Sequence, residues 1–186
     1  VSTTTVTLGG AAVGLVLHIR EFGPGLWAIA MKKAGKGGPP KGDGADADTK
    51  SRFDIRAHTP YLLGDGIGML AIAVPGGFIG TVAGRILGIS NSLGDRVLSA
   101  GAGSPTVAAT RAAAHTMDSY GSLVVLLLVA TVFVLRKSMS KPQRKQLITG
   151  IWSGSTIGLS AGAAGLTAAV LIPVAQQLGH AIGGQL

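Results

Sequence analysis

Apolar positions along the chain gather into four long runs separated by polar, glycine-rich connections. Residues 119–135, with the stretch LVVLLLVATVFVL, contain no Lys, Arg, Asp or Glu. A helix of that length comes close to the ~30 Å of a bilayer's hydrocarbon layer. The run at 148–175 is also uncharged and has Pro173 near its end, while 66–84 is uncharged and interrupted by Pro75. These three runs predict membrane helices, the second of them kinked at its proline. The run at 6–31 holds His18, Arg20 and Glu21, then Gly23, Pro24 and Gly25. Charges are expensive at mid-membrane, so it predicts a broken, tilted or interfacial segment.

Three regions follow. Residues 1–31 form a broken N-terminal apolar segment. Residues 32–60, rich in Gly, Pro and alternating charge, form a flexible loop. Residues 61–186 form a helical membrane domain with apolar helices near 62–89, 119–136 and 148–175, and an alanine-rich stretch at 105–117 predicts a further short helix. The fold class expected is all-α, with polytopic membrane helices, a C-terminal helical hairpin closed by a basic turn, and glycine-rich helix packing.

Composition points the same way. With 47% hydrophobic residues, 13% charged and a mean hydropathy of +0.48, the chain is poorly suited to be a 186-residue globule facing water on all sides. The net charge of +8 does not describe one basic face, because most of the cations lie in 32–60 and 136–145, beside apolar runs. With both of these dense connections on the cytoplasmic side, four spans would leave both termini outside a cytoplasmic membrane. Trp27, Tyr61, Tyr120 and Trp152 lie near expected segment ends, where amphipathic rings favour headgroups. The absence of cysteine excludes a disulfide framework and thiolate metal sites. The chain begins at Val1, which leaves room for a removed upstream segment, although 1–17 lacks the basic start of an intact signal peptide.

Glycine spacing suggests how the helices pack. Gly76, Gly80, Gly84 and Gly88 recur every fourth residue, and Gly154, Gly158 and Gly162 repeat the pattern. Residues four apart share a helical face, so each ridge would let another helix approach closely in lipid. Seams within the chain and contacts between copies both fit; two ridges in so small a chain favour a homo-oligomer.

Motifs that would carry chemistry are absent. Asp43, Asp46 and Asp48 lack the downstream glutamate of a calcium loop, and AGKGG at 34–38 lacks the Ser or Thr of a phosphate loop. His18, His58, His115 and His180 show no paired helical spacing for a metal. GLSAG at 158–162 sits in an apolar helical run with no acid downstream, so Ser160 reads as a packing residue. Asp65 and Arg85 bracket the second run; snorkelling at the interfaces is the favoured reading and an ion path the other. The expectation is a non-enzyme with no cofactor, apart from bound phospholipid.

The segment LVVLLLVATVFVLRKSMSKPQRKQLITGIWSGSTIGLSAGAAGLTAAV, with a tail ending GHAIGGQL, resembles the helix, basic loop, helix plan of type IV secretion and conjugative pilins. The resemblance covers 119–186. It implies two helices held in the inner membrane before assembly and a basic loop facing the filament lumen afterwards, with phospholipid between subunits. On that plan Arg136, Lys137, Lys141, Arg144 and Lys145 would face cargo, either single-stranded nucleic acid or protein, and the assembled form would be an extracellular filament. Independently of the resemblance, these cations suit the headgroups of anionic lipid. The chain departs from the plan in its length, its additional apolar run and its long loop. Three functions therefore stand side by side: a self-assembling membrane subunit of a conjugative or secretion apparatus, a small channel, transporter or holin-like pore, and a non-catalytic accessory subunit of a larger membrane complex.

Overall fold

A computed structural model describes residues 5–33, 55–103, 117–158 and 163–183. They form six α-helices, α1 (Leu8–Lys33), α2 (Thr59–Ala71), α3 (Gly77–Ala102), α4 (Ser119–Leu135), α5 (Lys141–Ile157) and α6 (Ala163–Gly183), with a 3-10 turn at Ile55–His58 before α2. The fold is all-α. No helix among the described residues is long and apolar enough to cross a membrane, which corrects the expectation of three membrane-length spans. The uncharged α4 has 17 residues, about 25 Å of helix against ~30 Å of hydrocarbon.

Several boundaries differ from those expected, each for a local reason. The N-terminal segment is one 26-residue helix with Pro24 inside it, not a broken one. The helix expected near 62–89 is two. Pro75 cannot continue α2, and Gly76 and Gly77 adopt φ of 96° and 65°, a left-handed region closed to most side chains, so the chain turns there before α3. This bend is fixed by the Met117 N–H, which donates to the Ala73 carbonyl at 3.0 Å. The helix expected near 148–175 is also two, since α5 ends at Ile157 and α6 starts at Ala163. Ser160 and Gly162 lie outside the described residues, as do His115, the acidic positions Asp43, Asp46 and Asp48, and the AGKGG stretch.

The basic segment is only partly a turn. Arg136 and Lys137 leave α4, but Lys141, Arg144 and Lys145 already belong to the start of α5. The Ser140 N–H donates to Gln143 Oε1 at 2.9 Å, and Pro142 lies in the first turn, where its missing N–H costs nothing. At the start of α4, Asp118 accepts from the Gly121 N–H at 2.7 Å.

The expected C-terminal hairpin packs only through its later part, α6. α5 lies chiefly on α2, with further contacts to α1 and α3, whereas α4 packs on α6 and touches α2. Helices α4 and α5 share only a small cluster around Val132, Leu147 and Ile67. The stronger attraction for α5 is the α2 seam. There Gly150, Gly154 and Gly158 meet the backbone of Tyr61, Asp65 and Met69, while Gly64 and Gly68 meet that of Leu147 and Ile151. Both sets climb in the same direction along the two helices, so α2 and α5 run parallel. α1 runs antiparallel to them, and the start of α4 meets the end of α6, where Gly179 abuts Tyr120.

One ridge therefore packs inside the chain and the other does not. A methyl at Gly154 would overlap the Asp65 carbonyl, whereas Gly84 and Gly88 have open space where a side chain would begin. Gly76 is in the bend, and Gly80 abuts the Val74 carbonyl beside it. We expect Gly154→Ala to destabilise the fold by about 1–3 kcal/mol through overpacking. Gly84→Ala is expected to be neutral or to stabilise by up to ~1 kcal/mol through helix propensity. Thermal unfolding of the two variants distinguishes them, and equal effects would refute the α2–α5 seam.

Candidate functional site

The close approach of α2 and α5 leaves α1 to cover their shared groove, and a file of polar side chains, partly exposed at His18, Glu21 and His58, lies between the three helices. At one end, Glu21 of α1 accepts from Gln146 Nε2 of α5 at 2.8 Å and lies 3.1 Å from Nδ1 of His58. One turn along α1, His18 Nδ1 is 2.6 Å from Ser153 Oγ, 3.1 Å from the Tyr61 hydroxyl and 3.3 Å from the Gly14 carbonyl. On the other side of the ring, Nε2 is 3.6 Å from Asp65 Oδ2. Ser153 Oγ also donates to the Gly14 carbonyl at 3.2 Å, anchoring α5 to α1.

Aromatic rings hold the file in place. Tyr61 meets His18 edge-on, with centroids 5.4 Å apart, and Phe22 packs against His18, His58 and Tyr61. The ring planes leave His18 little freedom to swing away from Asp65.

Burial makes these contacts costly to lose. Asp65 is 7% exposed and Ser153 fully buried. An ionised carboxylate in such a place is tolerated only with partners, yet Asp65 Oδ1 has no hydrogen-bond partner. Asp65 therefore does not snorkel to an interface, which corrects the favoured sequence reading; its snorkelling counterpart, Arg85, is exposed. Ser153, His18 and Asp65 bring together the residue types of a hydrolytic triad, but the enclosed serine offers no approach to a substrate. Imidazole and carboxylate groups are side chains able to hold and pass protons. Among the described residues no three His, Cys, Asp or Glu side chains converge as a metal centre.

The residues singled out from sequence lie elsewhere. Arg136, Lys137, Lys141, Arg144 and Lys145 are all exposed, with the Arg136 guanidinium 3.8 Å above the Phe133 ring. Gly154 and Gly158 lie in the α2–α5 seam against the backbone of Asp65 and Met69, and Gly88 opens on a groove of about 520 Å³ with Arg85, Ile89, Leu93 and Arg96. The chain matches no protein-family model, no curated protein and no solved structure.

Sequence reasoning named His18, Glu21, His58 and Tyr61 without bringing them together, and passed over Gln146 and Ser153. Two signals were present: an acid inside the apolar stretch LLGDGIG, and a histidine and a glutamate inside the first apolar run. What joins them is long-range packing, which no spacing shows. Removing the Ser153 hydroxyl by Ser153→Ala is expected to cost about 1–3 kcal/mol, because His18 and Gly14 both lose a buried partner. Ser155→Ala should cost far less, since its bond to the Gly68 carbonyl is stretched to 3.5 Å. Denaturant unfolding of both compares the costs directly.

Proposed function

We propose that this chain is a self-assembling subunit embedded in a lipid bilayer, of the pilin-like kind, whose outer faces are covered by lipid and by further copies of itself. The observation that carries this reading is the extent of exposed apolar surface around a core that is itself mostly apolar. Ser90, Ser153, Ser155 and Thr156 are fully buried, while Phe78 is 83% exposed, Val97 71%, Val134 68% and Val170 65%. Single exposed apolar residues are ordinary, but here they occur on every helix from α1 to α6. An apolar exterior around hydroxyl-bearing seams suits a surrounding without water. The individual helices fall short of spans, so the covered surface belongs to the bundle and its neighbours as a whole.

The basic segment adds a partner. Lys141, Arg144 and Lys145 sit in the first turns of α5, which has no acid in its first turn to offset the positive end of its dipole. Cations there cost a few tenths to ~1 kcal/mol each, a cost that an approaching anion removes. Anionic headgroups fill this role in a membrane, and phosphates of single-stranded nucleic acid, or acidic protein cargo, fill it in an assembled filament.

The second reading is a small channel or transporter, favoured by the polar file at Glu21, His18 and Asp65. It differs from the first in predicting flux across vesicles containing the purified chain.

Membranes from expressing cells should retain the protein through alkaline carbonate washing, and mild detergent should release particles of many identical copies or filaments. A soluble monomer would overturn the assembly reading. Replacing Arg136, Lys137, Lys141, Arg144 and Lys145 by Gln should abolish salt-sensitive binding of the solubilised protein to anionic vesicles. Unchanged binding would remove the basic segment from the mechanism.

A further inference from the structure

Helix α3 meets the bundle by one side. Ala83, Leu87, Ser90 and Gly94 are buried there, and the opposite side is exposed along its length. That outer side divides into two parallel stripes. One is apolar: Phe78, Val82, Ile89, Leu93 and Val97 are all exposed and share about 100° of helical arc. The other is basic and hydroxylic: Thr81, Arg85, Ser92 and Ser99 are exposed beside it within about 40° of arc, and Arg96 stands on the boundary. The one acid of α3, Asp95, lies off both stripes against Gly9 of α1. Between the two guanidiniums runs the groove of about 520 Å³, lined with Gly88, Ile89, Ser92 and Leu93 and with no carboxylate.

We propose that this side of α3 lies flat in the headgroup layer of a membrane containing anionic phospholipid, with Arg85 and Arg96 on phosphates and the apolar stripe among the acyl chains below. The proposal rests on the bilayer reading and assigns one face within it. Arg85 and Arg96 are eleven positions apart, about 16 Å along the helix axis. Both reach one layer of phosphates only if that axis runs along the membrane surface. In an upright helix with one guanidinium at the surface, the other would stand near the middle of the ~30 Å hydrocarbon layer, where a charge is costly. The flat pose also uses both stripes over their whole length, as a helix lying on a membrane does. A second copy suits the face less well, because a two-fold contact would bring four guanidiniums together with no acid on either α3 face to receive them. Nucleic acid would satisfy the arginines but leave the apolar stripe in water.

The chain has no cysteine, so the test places a fluorophore on one introduced cysteine at a time in the full chain. The protein is reconstituted in vesicles of phosphatidylcholine and phosphatidylserine, and quenchers fixed at headgroup or acyl-chain depth report where each label lies. Val82→Cys and Val97→Cys, about 22 Å apart along α3, should sit at the same shallow acyl depth. Thr81→Cys and Ser99→Cys should sit nearer the surface. An upright helix would separate the depths of the first pair by most of that distance and overturn the flat pose. Labels shielded from lipid and aqueous quenchers alike would overturn lipid as the occupant in favour of a second copy. A label at Ser92→Cys should be quenched about threefold or more better by acyl-labelled phosphatidylserine than by acyl-labelled phosphatidylcholine, and Arg85→Gln with Arg96→Gln should bring that ratio near one. An unchanged ratio overturns the phosphate contacts. Detergent covers α3 in the solubilised protein and leaves vesicle capture there to the basic segment, so these readings follow reconstitution. Val134→Cys on α4 and Val170→Cys on α6 judge the bilayer reading separately. Lipid quenching at those two with water around the α3 labels would sink the α3 proposal alone, whereas water around all of them would sink both.

Discussion

Backbone against backbone at the α2–α5 seam is the constraint on which the rest of the molecule depends. Glycines on both helices remove the side chains that would otherwise hold the axes apart, so carbonyls of one helix rest directly on the other. Contact this close gains dispersion and weak Cα–H interactions over a long strip. It also leaves no room for α4, which turns instead to α6. The pairing therefore determines which helix fills each place in the bundle.

The polar file is a consequence of the same geometry. Two helices that touch along glycines create a shallow groove on either flank, and α1 lies in one of them with Gly14, His18 and Glu21 directed inward. Trp152 projects from α5 on another side, where its Nε1 donates to Ser90 of α3 at 2.8 Å. Hydrogen bonds of this kind accompany an apolar interior that includes Leu70, Ile72, Leu87, Val125, Ile157 and Ile172. Large apolar side chains such as Phe78 and Trp27 are left outward while Tyr61, Leu87 and Met117 are buried, and small residues and buried hydroxyls add specificity to the packing.

Helical character was plain from the apolar runs, and the four-residue repeat at Gly154 and Gly158 marked a real seam. The matching repeat at Gly84 and Gly88 did not, because the same spacing serves equally for a filled groove and an open one. Pro75 was visible as an interruption. Its outcome, two separate helices and not one kinked helix, followed from the two glycines after it, whose left-handed conformation side chains rarely adopt. The fate of Asp65 was beyond local reading: its neighbours in sequence are apolar, whereas the groups that meet it come from α1 and α5. Interiors built from such distant partners appear in sequence only as isolated anomalies. The basic segment was located correctly but its shape was not, since Ser140 and Pro142 draw half of it into a helix.

Parallel packing of α2 and α5 has a consequence for biogenesis. Gly68 and Ser155, which meet across the seam, are 87 positions apart in the chain. At ribosomal speeds the glycine groove of α2 waits on the order of ten seconds for its partner to emerge. During that interval α3 and α4 are already made, and a wrong helix could occupy the vacancy. Glycine is well suited to discourage this, because a groove so shallow holds firmly only a partner that is itself stripped of side chains at the same four-residue interval. The α3 ridge at Gly80, Gly84 and Gly88 emerges first and has this spacing too, so selection of α5 needs more than glycine spacing, such as Ser155 reaching the Gly68 carbonyl.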